Sequence, residues 1–424
     1  MDSARRVPQL DGIRGTAILL VIIWHFIVVP LKQGPHDSAI SQIITHVGVL
    51  TWSGVDLFFV LSGFLIGGIL IDARESPNYF RTFYVRRAFR ILPIYLLVVV
   101  SYLLVWSIAA GHQIFLRETL GVPMPRWVYF TFTQNFWLAH HAWDSVYLGL
   151  SWSLAVEEQF YLLLPTVIRI VPRQSLLPVA VILALSSAFS RCFLYLHYGA
   201  TWGTAAYTLI SSRADALMLG VICAVLFRDP NWKAALTRNR WAINVSLAVF
   251  GLGVAILTYK RWGVGTVPMC TLGFTCLALF YGSVLMVAMI SPQGLLSRTF
   301  QASSLMWLGT IAYGLYLFHT MPLVVLFRIF LHRSPALTNW LDGVIALSAL
   351  LIALAMARLS WKYFESRLVR LGHRFTYGGR TPACPPAPLS AAPASTAFDI
   401  SRESSSMSKP DENSPFRRSK IPPP

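Results

Sequence analysis

The sequence predicts an all-α protein, a polytopic membrane helical bundle of about ten transmembrane helices. The first observation is composition: the chain of 424 residues is 55% hydrophobic and 12% charged, whereas ordinary globular proteins are about 25% charged. The second is that apolar stretches of roughly 20 residues recur, each long enough to cross about 30 Å of hydrocarbon as a helix. The core of a soluble protein cannot bury so much apolar surface, so the chain is expected to lie in a lipid bilayer.

Ten apolar stretches are the elements of this prediction. They lie at about 13–31, 48–71, 90–110, 148–171, 176–196, 210–227, 242–259, 267–290, 304–331 and 337–358. The first stretch is interpreted as a span and not a signal peptide, because it carries Arg14 and His25 and no small-residue cleavage site follows it. An even number of crossings places both termini on one side of the membrane.

The distribution of basic residues predicts which side that is, because cytoplasmic loops collect Lys and Arg. The loops after the second and sixth spans are rich in basic residues, and the alternate loops are poorer. The basic residues of the two rich loops are Arg74, Arg81, Arg86, Arg87, Arg90, Arg228, Lys233, Arg238 and Arg240. Both termini are therefore expected in the cytoplasm, with the chain in the cell inner membrane. This topology accounts for most of the net charge of +17, and no nucleic-acid partner is expected.

The chain is expected to contain one folded domain. No linker divides the sequence before Arg374, so residues 1–374 are predicted to form an integral-membrane domain. After Arg374 the composition changes to Pro, Ser and Ala, which bury too little apolar surface to offset the entropy of ordering. Residues 375–424 are predicted to be a disordered cytoplasmic tail. The five cysteines show no metal-ligand spacing, so neither a disulfide framework nor a metal site is expected.

Arg14 and His25 are the most informative polar residues, because ionisable groups inside a span are costly and indicate function more often than in soluble helices. They stand eleven residues apart in LDGIRGTAILLVIIWHF, which places both on one helix face, about 16 Å apart. This geometry suits a long anionic cofactor, with phosphate on the guanidinium and the reactive end at the imidazole. The alternative is an interfacial arginine anchor and a satisfied core histidine.

The spacing of arginine, ten residues and histidine resembles the signature of the membrane acyltransferase-3 family, the bacterial O-antigen and polysaccharide O-acetylases. Further segments resemble that family in the same order. They are GVDLFFVLSGFLIG at 54–67, FYVRRAFRILPIY at 83–95, WSLAVEEQFYLLLP at 152–165, SRADALMLG at 212–220 and YGLYLFH at 313–319. The resemblance covers about residues 7–370.

The resemblance implies acyl transfer from acyl-CoA, usually acetyl-CoA, with the first-span histidine, His25, as an essential residue. A thioester donor is already activated, so no metal is needed. Many relatives carry a further hydrolase-like domain that receives the acyl group, whereas this sequence has only the polar tail at that place. The acceptor, or a separate acceptor protein, is therefore expected to come to the membrane site.

Arg87 and Arg90 are the next candidates, in FYVRRAFRI. They lie three residues apart on one helical face and match the family's motif of arginine, two residues and arginine. They are predicted to hold the phosphates of CoA together with Arg14, and the neighbouring Arg86 is a weaker candidate. The alternative is a solvated collar of positive charge.

Glu157 and Glu158 fall near the middle of the fourth span. Glu157 fits the family's pattern of tryptophan, four residues and glutamate, and is predicted either to orient His25 or to bind acceptor hydroxyls. A structural ion pair with Arg191 or Arg213 is the alternative. Glu158 is a candidate for binding substrate.

Asp56, Arg213 and His319 complete the predicted site. They are expected to line a polar pocket that binds the acceptor from the outer side, and His319 could also share proton transfer as a second intramembrane imidazole. Each could equally be an interhelical contact. The HHAWD segment at 140–144 is similar to the HHxxxD motif of soluble acyltransferases, but it is too short and lies in an outer loop, so its residues are interpreted as loop residues.

Together these features predict a membrane O-acyltransferase that moves an acyl group, expected to be acetyl, from cytoplasmic acetyl-CoA to a hydroxyl of a sugar or glycan. His25 is the expected general base, and a covalent acyl-imidazole is the alternative mechanism. The alternative function is a transporter or exporter of a small acylated or anionic substrate, because buried charges also mark permeation paths. A receptor or scaffold that keeps the fold without the chemistry is a third hypothesis.

Overall fold

The computed structural model describes residues 7–35, 38–108, 115, 117, 119, 121–141, 147–199 and 203–378. The described helices are α1 (Pro8–Gln33), α2 (Ala39–Val47), α3 (Gly54–Ala73), α4 (Tyr79–Ile108), α5 (Arg126–Phe130), α6 (Gln134–His141), α7 (Trp152–Ile170), α8 (Leu176–Tyr198), α9 (Gly203–Thr208), α10 (Ile210–Arg228), α11 (Pro230–Arg238), α12 (Arg240–Tyr259), α13 (Met269–Ile290), α14 (Leu295–Phe300), α15 (Ser303–Phe318), α16 (Thr320–Leu331), α17 (Trp340–Ser360) and α18 (Ser366–His373).

The long helices confirm the prediction of an all-α multi-pass membrane protein. In the described part of the chain, eight helical segments are long and apolar enough to cross a membrane, and α15 with α16 makes a ninth if this pair, bent by 50°, is one span. The predicted fourth span is the 19-residue helix α7, which is not among these segments. It is less apolar than the others because it carries Glu157, Glu158 and Arg169.

Two helices differ from their predicted spans. Helix α4 begins at Tyr79, about eleven residues before the predicted start, because the arginine-rich segment continues the helix beyond its apolar part. The predicted span 304–331 is not one straight helix, because it bends at His319 between α15 and α16.

Helix α1 packs closely against α15 through glycine. A Cβ atom added to Gly15 would lie 1.9 Å from the carbonyl oxygen of Leu305 in α15, and one added to Gly12 would lie 1.7 Å from that of Phe300, the last residue of α14. Small residues let the backbones of membrane helices approach in this way. Gly15 lies against Gly309, and ten residues further along both helices His25 lies against His319. Helices α1 and α15 therefore run in the same direction and bring the two histidines to one end of the bundle.

The C-terminal end of the described chain returns to α4. Asn78 and Arg86 hold residues 375–378 through hydrogen bonds of 2.7 and 2.8 Å to their backbone. The packed chain thus continues to Gly378, four residues beyond the boundary at which the tail was predicted to start. The remainder of the predicted tail, residues 379–424, lies outside the described residues.

Candidate active site

A cavity of about 320 Å³ lies among α1, α3, α4, α7 and α15. Its lining includes Arg14 from α1, Arg87 and Arg90 from α4, and Glu157 from α7. The structure therefore brings together the three predicted phosphate-binding arginines and one of the two predicted catalytic residues, although they come from three separate helices.

Helix α3 gives the cavity its length. Its lining residues follow one face at intervals of three or four, from Val55 through Phe58, Ser62 and Leu65 to Ile69. Fourteen residues of α-helix correspond to roughly 21 Å along the axis. The cavity is thus a long channel with a mainly apolar wall on the side of α3.

Positive charge is concentrated around the middle and one end of this channel. Arg14 donates a hydrogen bond of 3.1 Å to Asp11, whereas the side chains of Arg87 and Arg90 form no ion pair or hydrogen bond with any described residue. The guanidinium of Arg87 lies 5.6 Å from the centre of the Tyr161 ring. Two guanidiniums that face a cavity without a partner form a suitable site for phosphate. We call this part of the molecule the arginine end.

Glu157 belongs to the arginine end and does not contact His25, contrary to the prediction that it orients the imidazole. It accepts a hydrogen bond of 2.8 Å from Tyr161 and lies within electrostatic range of Arg14, Arg87 and Arg90. The reason is the position of α7 along the bundle. Ser153 near the start of α7 forms a hydrogen bond of 2.5 Å with Tyr316. Glu157 lies one turn later on α7, which places it further from His25 and nearer the arginines.

His25 and His319 lie together just beyond the other end of the channel, which we call the histidine end. His319 Nε2 is 3.4 Å from His25 Nδ1, and the ring centres are 4.9 Å apart. Tyr316, one turn before His319, lines the cavity, and its ring centre is 5.9 Å from that of His319. The channel therefore leads from unpaired arginines to a pair of imidazoles.

The backbone of α1 changes form at His25. Residues Trp24–Val28 form a π-helical turn between two α-helical parts, and such single turns are common at functional sites. The His25 ring Nδ1 lies 2.9 Å from the carbonyl oxygen of Val21. The residue is half-buried, and the imidazole is held by the helix that carries it.

Asp56 and Arg213 do not line the cavity, although both were predicted to bind the acceptor. They form an ion pair with each other between α3 and α10, and both are 0% exposed. Arg213 also lies 4.2 Å from the centre of the Phe274 ring.

Arg191 does not pair with Glu157 either, because it forms an ion pair with Asp215 at 2.8 Å. These charged pairs join helices, and the acceptor-binding role remains a prediction without support from the geometry.

Glu158 also lies outside the cavity lining. Its Oε1 atom is buried and has no hydrogen-bond partner among the described residues, so its proposed contact with substrate stays a prediction. His140 and His141 of the HHAWD segment end α6 and are not loop residues as predicted. His141 stacks on Trp137 with ring centres 3.8 Å apart and does not line the cavity. Asp144 lies outside the described residues.

Several lining residues were missed in the sequence. Tyr161 and Ser153 lie four residues on either side of Glu157, and Tyr316 lies three before His319, so helical spacing from the predicted residues would have found them. Ser62, which bonds to Tyr161 at 2.5 Å, and His373 of α18 gave no such signal. They reach the cavity only through the packing of distant helices.

The chain is similar to known proteins over most of its length. A family model described as "Acyltransferase domain" matches residues 7–358. Peptidoglycan O-acetyltransferase OatA of Listeria monocytogenes is 27% identical over 390 residues, which are 87% of this chain and 57% of that protein. O-acetyltransferase OatA of Staphylococcus aureus is 25% identical over 396 residues, which are 88% of this chain and 59% of that protein. The chain thus matches a little over half the length of these relatives.

No solved structure matches the chain. The family model, however, spans most of its length, from the start of α1 to near the end of α17. The chain therefore belongs to the membrane acyltransferase-3 family.

Proposed function

We propose that the protein is an O-acetyltransferase that moves acetyl from cytoplasmic acetyl-CoA to a hydroxyl of a glycan presented on the other side of the membrane. One observation carries this proposal: a single channel has unpaired guanidiniums at one end and an imidazole pair just beyond the other. A thioester donor that carries phosphates at its far end would place the phosphates at the guanidiniums and the thioester near the imidazoles. The names of the relatives, both O-acetyltransferases and one of them acting on peptidoglycan, favour a glycan acceptor.

The donor would lie along α3. The phosphates of CoA would bind Arg87 and Arg90, with Arg14 beside them, because neither Arg87 nor Arg90 forms an ion pair or hydrogen bond with a described residue. The thioester arm would follow the apolar wall of α3 towards Phe58 and Tyr316. On α1 the guanidinium and the imidazole are about 16 Å apart along the axis, so the acetyl group would reach the histidine end while the phosphates remain at the arginine end.

His25 would perform the proton transfer. Its free ring nitrogen takes the proton from the acceptor hydroxyl as the oxygen attacks the thioester carbonyl. The carbon–sulfur bond then breaks, the acetyl ester forms, and the CoA thiolate takes up the proton from the imidazolium. The alternative route forms acetyl-imidazole on the same nitrogen first and passes acetyl to the hydroxyl in a second step. Both routes need the same nitrogen to be unprotonated at the start.

The proposed orientation puts the arginine end in the cytoplasm. Arg14 near the N-terminus and His373 near the end of the described chain both line this end of the channel. The loops after the second and sixth predicted spans carry the excess of basic residues, as cytoplasmic loops do. The chain would then lie in the inner membrane with both termini in the cytoplasm, and the glycan would meet the histidine end.

The test is acetyl transfer by purified protein in lipid nanodiscs. The expected result is release of CoA thiol from acetyl-CoA that depends on a glycan oligomer, with acetyl ester on the oligomer detected by mass spectrometry. His25→Ala should abolish both signals, while His141→Asn, a change at a histidine that does not line the cavity, should leave them unchanged. A wild-type protein that releases no thiol under these conditions but moves acetyl-CoA or an acetylated glycan across vesicles would overturn the proposal in favour of a transporter. A protein that does neither but binds a glycan would be a receptor or scaffold.

A further inference from the structure

His319 has no ring nitrogen left for a substrate. Its Nδ1 atom lies 2.8 Å from the carbonyl oxygen of Tyr316 and 3.2 Å from that of Leu315, and its Nε2 atom faces His25. The ring is 0% exposed. A residue in this position acts on its neighbour and does not bind the acceptor directly.

The hydrogen-bond partners assign the tautomer of His319. A carbonyl oxygen only accepts hydrogen bonds, so the Nδ1 atom that faces two carbonyls carries the proton. A neutral imidazole has one N–H group, and therefore Nε2 of His319 carries a lone pair. That lone pair lies 3.4 Å from Nδ1 of His25.

The same reasoning assigns the tautomer of His25. Its Nδ1 atom has two acceptors around it, the Val21 carbonyl oxygen at 2.9 Å and Nε2 of His319. Only an N–H group satisfies both, because a lone pair on Nδ1 would face two other lone pairs. The lone pair of His25 is therefore on Nε2, which has no hydrogen-bond partner among the described residues.

We propose that His319 is a positioning residue that fixes His25 in the tautomer with a reactive Nε2 atom and accepts a hydrogen bond from the imidazolium formed during turnover. This inference rests on the proposed function for its kinetic consequence, although the tautomer itself does not depend on it. When Nε2 of His25 takes the proton of the acceptor hydroxyl, Nδ1–H keeps donating to Val21 and His319. The proton that arrives at Nε2 leaves with the CoA thiolate, so both histidines return to their starting forms.

A second imidazole suits this position in a membrane. A buried carboxylate would supply a stronger acceptor, but a negative charge inside a span is costly unless it is paired. Glu157, the carboxylate that lines the cavity, accepts a hydrogen bond from Tyr161 and lies towards the arginines, away from His25. A neutral imidazole accepts the hydrogen bond from His25 without adding charge.

The kinetic test compares two substitutions at one position. His319→Ala removes the acceptor and should lower kcat for acetyl transfer about ten- to hundredfold, as the loss of the hydrogen-bond partner of a metal-ligating histidine does in metalloenzymes. The KM for acetyl-CoA should not change, because the arginine end is intact. His319→Gln should recover most of kcat, since its amide oxygen can accept from Nδ1 of His25. His141→Asn is the matched control, and melting temperatures check that each variant is folded.

The tautomer can be measured without any substrate. In 15N-histidine spectra of the protein in lipid, the His25 signals, identified by their loss in His25→Gln, should show protonated Nδ1 and bare Nε2. His319→Ala should convert them to a mixture of tautomers. Protonated Nε2 in the wild type, or full kcat in His319→Ala, would overturn the inference. If the wild type shows the expected tautomer but no acetyl transfer, the proposed function fails and the positioning role stands.

Discussion

Gly15 of α1 and Gly309 of α15 face each other so closely that a Cβ atom added to either would lie 3.1 Å from the backbone nitrogen of the other. The same Cβ on Gly309 would lie 1.9 Å from the carbonyl oxygen of Asp11. Backbone cannot move aside as a flexible side chain can. This contact fixes the separation of the two helices that carry His25 and His319.

Gly309→Ala is therefore expected to destabilise the protein by about 3 kcal/mol, the upper end of the usual cost of overpacking, and to reduce acetyl transfer by separating the imidazoles. Gly343→Ala is the matched control, because a Cβ there meets nothing within 4 Å and alanine favours the helix. Thermal unfolding in detergent and acetyl transfer in nanodiscs measure the two effects. Equal stability of the two variants would contradict the close contact.

Arg87→Ala and Arg90→Ala are each expected to raise the KM for acetyl-CoA about tenfold, the loss of roughly 1.4 kcal/mol for one charge-assisted contact. The kcat value should fall much less, because phosphate contacts distant from the thioester act equally in the ground and transition states. Arg238→Ala removes the same charge from an exposed position of α11 and serves as the control. If the double variant Arg87→Ala with Arg90→Ala binds a CoA analogue normally, the arginines only determine topology.

Phe58→Ala is expected to relax the choice of acyl group. Phe58 lines the histidine end of the channel with its ring centre 6.4 Å from that of Tyr316, where the acyl group would lie. Removing the ring should raise kcat/KM for propionyl-CoA relative to acetyl-CoA by about tenfold, since one methylene in a pocket is worth about 1–3 kcal/mol. Leu65→Ala enlarges the same channel nearer the arginine end and should not change this ratio. An unchanged ratio in Phe58→Ala would place the acyl group elsewhere.

Asp56→Leu is expected to destabilise the protein by about 3–5 kcal/mol, because it leaves the buried charge of Arg213 without its partner. Replacing both residues, as Asp56→Leu with Arg213→Met, should restore most of the stability, since buried ion pairs are often replaceable by apolar side chains. Acetyl transfer should return with stability. A double variant that is stable but inactive would show that the pair does bind the acceptor.

Truncation distinguishes the packed C-terminal segment from the residues beyond it. A chain that ends after Gly378 should keep its activity, because the Pro, Ser and Ala composition that follows offers no apolar face to the bundle. A chain that ends after Arg374 loses the segment held by Asn78 and Arg86 and should melt at a lower temperature. Loss of activity in the longer truncated chain at equal membrane abundance would mean that residues 379–424 recruit a partner or regulate the site.

Helical periodicity and hydropathy were sufficient to predict the spans and the residues that share a face within one helix. Arg14 with His25 and Arg87 with Arg90 could be found in this way, because their relationship is local. Contacts between helices were not predictable. Glu157 was expected beside His25, but its level in the bundle depends on contacts such as Ser153 with Tyr316. Asp56 and Arg213 are 157 residues apart in sequence, and nothing local indicates that they meet.

The pairing of α1 with α15 also determines when the site can form during synthesis. His25 enters the membrane with the first helix, and His319 follows 294 residues later, a delay of roughly 15–60 s at about 5–20 residues per second. Throughout that interval the glycine-lined face of α1 has no backbone to pack against, and Arg14 lacks its neighbours on α4 and α7 until those helices are made. The imidazole pair is therefore among the last parts of the membrane domain to assemble, and a nascent chain that stops before α15 carries His25 without its partner.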